Sequence, residues 1–249
     1  MRPAAVVVRR LRRSWHGQRL LDGVDLEVPV GARLLLVSRP EASGSLLLRV
    51  LAGLVRPASG SVLLAGLAHG NESAAGWARR VAYLAAEPGI YPWLTPAEAL
   101  DLAARLAGYD RRERRPRIEA AIEGFRLQAD VDRPISRGGA AVAQKTALAA
   151  ALLTDPEVVL LDEPLRSVLP DERARLLRLP GERRTVLLAS RLPASEAGIV
   201  TQVALLRDGR LAVHASAADL EQNGLALSFQ GIEALAELQL AGPPAASSR

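Results

Sequence analysis

Residues 34–54 read Leu-Leu-Leu-Val-Ser-Arg-Pro-Glu-Ala-Ser-Gly-Ser-Leu-Leu-Leu-Arg-Val-Leu-Ala-Gly-Leu. Leu34–Val37 is a short apolar run of strand type. Residues 38–45 follow as a loop of small residues containing a proline. Leu46–Leu54 then spaces its apolar positions as a helix does, and Gly53 and Pro57 stop it. Working outward from this strand–loop–helix unit, Ala4–Val8 and Val24–Val28 read as earlier strands, the second alternating apolar with acidic residues. Pro57–Gly60 is a turn, and Val62–Leu64 and Val81–Leu84 are further strands. From Pro96 to Leu153 the period is helical, interrupted at Pro116 and at the polar stretch 130–139. Val158–Leu161 closes on Asp162-Glu163-Pro164, Thr185–Ala189 is another β-rich run, and Val203–Leu206, Asp208-Gly209 and Leu211–Val213 form a hairpin pattern. Apolar strands separated by helices predict an α/β fold whose mostly parallel sheet is covered on both faces. No internal repeat is present, and the tail at 243–249 is expected to be disordered.

Composition narrows the chemistry. The 249 residues are 49% hydrophobic and 24% charged, enough for a substantial core. The absence of cysteine excludes disulfides, iron–sulfur clusters and Cys-ligated zinc. The three histidines, His16, His69 and His214, are scattered and offer little to a metal site. No apolar run reaches the ~18 residues that a membrane span needs, so the chain is expected to be soluble and cytosolic. The formal net charge is +5, and of 32 basic residues only Lys145 is a lysine. Such a surface could meet nucleic acid, acidic lipid headgroups or an acidic partner. The arginine clusters lack interleaved aromatics for base stacking, so nucleic acid is not the expected partner.

From about Val6 to Leu220 the order and spacing of these segments resemble the ATP-binding subunit of an ABC transporter. Gly31–Val37 resembles the strand feeding the phosphate loop, and Leu48–Leu54 with Pro57–Gly60 resembles the helix and turn after it. Tyr91–Thr95 with Glu98 and Leu100 resembles the start of the helical subdomain. Leu148–Leu153, Asp155-Pro156 and Val158–Pro164 resemble the helix after the signature and the Walker B strand. The resemblance implies a P-loop NTPase (RecA-like) core with an N-terminal antiparallel β part and a helical subdomain at about 91–153, in a single nucleotide-binding domain over 1–242. It implies ATP and Mg2+ as ligands, a membrane-spanning permease subunit as partner, and a cytoplasmic location peripheral to the inner face of the membrane. Within the family, Ser136-Arg137-Gly138 and the single short domain look most similar to exporter-type subunits.

The residues at the family's functional positions depart from its pattern. A G-x-x-x-x-G-K-[ST] loop wraps phosphates in glycine amides and neutralises them with lysine. Ungapped, residues 38–45 lie on that loop, with Ser38 and Ser43 at glycine positions, Gly44 at the lysine position and Glu41 at another usual glycine. Arg39 sits near the start of the loop. Ser45 keeps the magnesium-ligand position. Losing a charge-assisted contact costs roughly 1.5–3 kcal/mol in binding, and losing a transition-state donor costs ~10²–10³ in rate. Glu41 at ~4 Å from a phosphate adds repulsion of ~1 kcal/mol in water and ~4 at an effective dielectric of 20. A left-handed backbone at Glu41 would add a further ~1–2 kcal/mol. Asp162 and Glu163 occupy the positions that hold magnesium and polarise the attacking water. Ala86 replaces the expected glutamine, Arg191 the switch histidine and Leu169 the aspartate after Walker B. Gly139-Ala140-Ala141 look inserted after Ser136-Arg137-Gly138, which should displace the signature serine. Trp15 or His16 sits where an aromatic ring would stack on adenine.

These positions predict weak or absent ATP binding and hydrolysis in a subunit that docks on a permease, with a catalytically competent paralogous subunit as a candidate second partner. Two alternatives stay open: an active ABC transporter ATPase coupling hydrolysis to export, and a basic binding protein reusing the fold.

Overall fold

The computed structural model describes residues 3–68, 74–179 and 183–241, so the tail expected at 243–249 lies outside the described residues. The chain opens with a long hairpin, β1 (Ala4–Trp15) and β2 (Gln18–Pro29). Strand β3 (Arg33–Arg39) leads into helix α1 (Ala42–Leu51). Strands β4 (Ser59–Leu64) and β5 (Leu67–Ala68) return to the hairpin and complete a four-stranded antiparallel sheet of order β2-β1-β4-β5. Helix α2 (Ala74–Arg80) precedes β6 (Val81–Leu84).

Helices α3 (Pro96–Leu106), α4 (Arg111–Gly124) and α5 (Ile135–Leu152) come next, before strand β7 (Val158–Asp162). Then follow α6 (Pro170–Leu177), β8 (Thr185–Ala189), β9 (Gln202–Arg207), β10 (Arg210–Ser216), α7 (Ala217–Gln222) and α8 (Phe229–Ala241). The second sheet has the order β10-β9-β3-β8-β7-β6, parallel throughout except for the β9–β10 hairpin. This is the expected α/β architecture. Strands β7 and β8 are buried at every position, as continuous Val/Leu runs between two covered faces should be.

One core lies between the antiparallel sheet, α1 and the parallel sheet, centred on Leu11, Leu47, Leu51 and Leu187. A second covers the other face with Leu161, Leu177, Leu205 and Ile232. A third, smaller core, including Leu100, Leu127, Val142 and Ala149, holds the helices before β7 together.

Two local expectations need correction. Pro116 does not interrupt a helix but sits inside α4. The break falls earlier, at Gly108 with φ +86°, where Asp110 and Glu113 form a capping box that starts α4 afresh. The helix expected over Leu46–Leu54 begins four residues sooner, at Ala42, because the loop turns helical at Glu41.

Candidate functional site

The carboxyl ends of β3, β7 and β8 and the start of α1 converge on a cavity of ≈ 700 Å³. Ligands of open α/β sheets collect at such a place, because strand ends and a helix N-terminus meet there. Ser38, Arg39, Glu41, Ser45, Ala86, Asp162, Glu163 and Arg191 all line it. Glu41 and Arg191, 150 residues apart in sequence, are therefore brought together by the parallel sheet.

At the base, the Ser45 hydroxyl donates to Asp162 Oδ1 at 2.8 Å, and Tyr83 Oη donates to Asp162 Oδ2 at 3.3 Å. Asp162 is buried, so both carboxylate oxygens are satisfied from within the fold. Burial raises the Tyr83 phenol above its usual range, partly countered by the Arg49 side chain. Glu163 stands next to this pair with a left-handed backbone, φ +47°. Burial pushes its carboxyl up from the ordinary range, while the Arg191 guanidinium and backbone N–H pull it back. The Arg191 N–H donates to Glu163 Oε1 at 2.8 Å, and its Nε lies 3.3 Å from the same oxygen. On the other side, Arg191 Nη1 lies 3.4 Å from Glu41 Oε2.

Part of the loop between β3 and α1 is hydrogen-bonded within itself. Ser43 N–H donates to the Pro40 carbonyl and Gly44 N–H to the Glu41 carbonyl. Ser38 Oγ also accepts from Gly44 N–H at 3.1 Å and donates to the Glu41 carbonyl at 3.0 Å. Glu41 has φ −55° and ψ −36°, so the left-handed strain expected there does not arise. Ser43 is fully buried, does not line the cavity, and its hydroxyl has no partner among the described residues. Gly44 is buried beside it and is also absent from the lining.

Trp15 and His16 stand at the tip of the β1–β2 hairpin, edge to face at 5.3 Å, and neither lines the cavity. Ser136, Arg137 and Gly138 form the first turn of α5, tied down by Ser136 N–H to the Pro92 carbonyl. Gly139 then leaves helical geometry, with φ 74° and ψ −173°, before the helix resumes. The break falls at the first of the three residues that the sequence reading took as inserted. Lys145 is buried farther along α5, with Nζ 3.4 Å from Glu172 Oε1 and 3.3 Å from the Arg126 carbonyl.

The sequence reading missed Glu87, Arg166 and Phe229, which also line the cavity. Phe229 opens α8, and its ring lies 4.4 Å from the Arg39 guanidinium carbon. A second, apolar groove of ≈ 350 Å³ begins where the first ends. Ala85, Pro88, Tyr91, Leu94, Ala99 and Leu106 help to form it, and exposed Trp93 stacks on Tyr91 at 5.2 Å beside it.

The sequence model of the ABC transporter family matches residues 21–166, which span the phosphate-loop region through the end of β7. The chain belongs to the ABC transporter family. It is 31% identical over 219 residues to the aliphatic sulfonates import ATP-binding protein of Mycobacterium sp. (strain MCS), covering 86% of this chain and 84% of that protein. It is 30% identical over 224 residues to the cobalt import ATP-binding protein of Rhodobacter capsulatus, covering 87% and 80%. The solved structure of an ATP binding subunit of an ABC transporter superposes with a TM-score of 0.81 at 23% identity, over 94% of this chain and all of that one. Its fold is thus that of the ABC cassettes, a P-loop NTPase fold. Both named relatives are import proteins, unlike the exporter-type likeness read from Ser136-Arg137-Gly138. Among the described residues of this ABC chain, no helix is long and apolar enough to cross a membrane.

Proposed function

We propose that the chain is an ATP-binding-type subunit of an ABC import system that docks on a membrane-spanning permease subunit and does not itself hydrolyse ATP. The observation that carries this reading is the state of the phosphate loop. Its amides at Ser43 and Gly44 are committed to the Pro40 and Glu41 carbonyls, the family's lysine position has no side chain, and Arg191 is engaged by two carboxylates. These residues do not fit a triphosphate. Ser45 and Asp162 retain a magnesium half-site, 2.8 Å apart, but the phosphates that would complete the ion's shell have no cradle.

In this reading residues 1–242 form one domain, and the apolar groove beside Tyr91 and Trp93 receives the permease. The chain sits in the cytoplasm, held at the inner face of the membrane through that contact. A homodimer would pair two such loops, so a catalytically competent paralogous subunit is the better-suited second ATP-binding chain.

The test is the thermal midpoint of the purified chain with millimolar Mg-ATP, with ATP plus EDTA, and alone. A ligand at ~100 times its dissociation constant stabilises by ~2.7 kcal/mol, which for a chain of this size is a rise of roughly 5–11 °C. No rise is expected. A magnesium-dependent rise would favour the second reading, an active ATPase, for which the intact Ser45–Asp162 pair is the supporting observation.

A further inference from the structure

Three charged side chains that line the cavity come from distant segments. Glu41 follows β3, Glu163 follows β7, and Arg191 follows β8 by two residues. Arg191 joins them, 3.4 Å from Glu41 and 3.3 Å from Glu163, with its N–H on Glu163 as well. The backbone that carries Arg191 is itself fixed, since Ser190 N–H donates to the Leu36 carbonyl and Ser190 Oγ accepts from Leu192 N–H. Resting on the reading of an unfilled phosphate loop, we propose that the Arg191 side chain is the site's resident occupant. Its guanidinium clasps the loop after β3 to the ends of β7 and β8, and holds the site in one conformation without a ligand.

The charge pattern supports this assignment. A phosphate chain entering the cavity would have to take the Arg191 guanidinium from two carboxylates and leave the partly buried Glu163 with only the more distant Arg166 charge. Arg39, the other cation at the loop, is drawn over the Phe229 ring and is not placed to take over. The planar fork of arginine can serve both carboxylates at once, which a lysine ammonium does less well. Ala86 and Glu87 line the clasped site, while Ala85 and Pro88 line the apolar groove, so one short segment belongs to both.

Hydrogen exchange resolves the clasp from the reading beneath it. Peptides covering 38–45 and 189–192 would be followed in the wild-type chain, in Arg191→Ala, in Arg191→Lys and in Glu41→Ala, each with and without Mg-ATP. Arg191→Ala should speed exchange of the Ser43 and Gly44 amides by roughly threefold to tenfold, the range of a partly exposed ion-pair network. Arg191→Lys and Glu41→Ala should fall between it and wild type. Equal exchange in Arg191→Ala and wild type overturns the clasp, because the loop would then be held by its backbone alone. Added protection of the wild type by Mg-ATP overturns the unfilled-loop reading instead, whatever the variants do.

Discussion

Restoring the lysine of the phosphate loop should damage this protein rather than repair it. A Cβ at Gly44 would lie 2.8 Å from Ser38 Oγ, 3.5 Å from Ser38 Cβ and 3.7 Å from Leu36 Cδ2. The first of these distances is too short, so the Ser38 side chain must move. Moving it breaks the bonds to Gly44 N–H and the Glu41 carbonyl, at roughly 0.5–1.5 kcal/mol each. Crowding a packed site adds about 1–3 kcal/mol. Replacing a glycine inside α1 returns roughly 0.7 kcal/mol of helix propensity. The balance for Gly44→Lys is a net loss of about 3 kcal/mol, or ~6–12 °C in the thermal midpoint. Differential scanning calorimetry with and without Mg-ATP, alongside a phosphate-release assay, reads both halves of the argument. The double variant Ser38→Gly, Gly44→Lys should recover the steric part while still releasing no phosphate, because Glu41, Ala86 and Arg191 remain. A Gly44→Lys protein that melts at the wild-type temperature and hydrolyses ATP vigorously would refute both the packing argument and the account of the site.

Three further outcomes are expected. Ser43→Ala removes a buried hydroxyl that has no partner among the described residues, and should raise the melting temperature by about 2–4 °C, equivalent to ~1 kcal/mol. His214 is held below its usual pKa by burial, so the unfolded chain binds its proton more readily. Its contribution is intact above pH 6.5 and is lost as pH falls below that value, so a pH series of melting curves should show a decline that His214→Gln flattens. Trp93→Ala removes an exposed ring at the apolar groove, and should leave the melting temperature within about 1 °C of wild type while reducing co-purification with a permease. Unchanged co-purification would remove the groove from the docking account.

The parallel sheet was legible because its strands are uniform apolar runs flanked by breakers. Val158–Leu161 and Thr185–Ala189 reappear almost unaltered as β7 and β8. The arginine-rich α4 was misjudged at Pro116, although the Asp110-x-x-Glu113 pattern that starts it stood in the sequence as a capping signal. Ser216-x-x-Asp219 signalled α7 in the same way. Most of the cavity was legible through the family spacing, which gathered Ser38, Ser45, Asp162, Glu163 and Arg191 before any geometry was known. Phe229 was not, since nothing local marks a phenylalanine 190 residues from Arg39 as its stacking partner. Nor could the sequence pair Arg191 with Glu41, a contact that exists only because β3 and β8 are neighbours.

The burial of Lys145 changes how this protein can be handled chemically. It is the chain's single lysine, and its ammonium is enclosed between Glu172 and the Arg126 carbonyl. The exposed cationic side chains are therefore guanidiniums, which do not react with N-hydroxysuccinimide esters. Amine-directed cross-linking or biotinylation finds no accessible side-chain amine in the folded state. Complexes with a permease would be captured through carboxylates such as Glu98 and Glu113 instead, and acylation of Lys145 becomes a clean chemical reporter of unfolding.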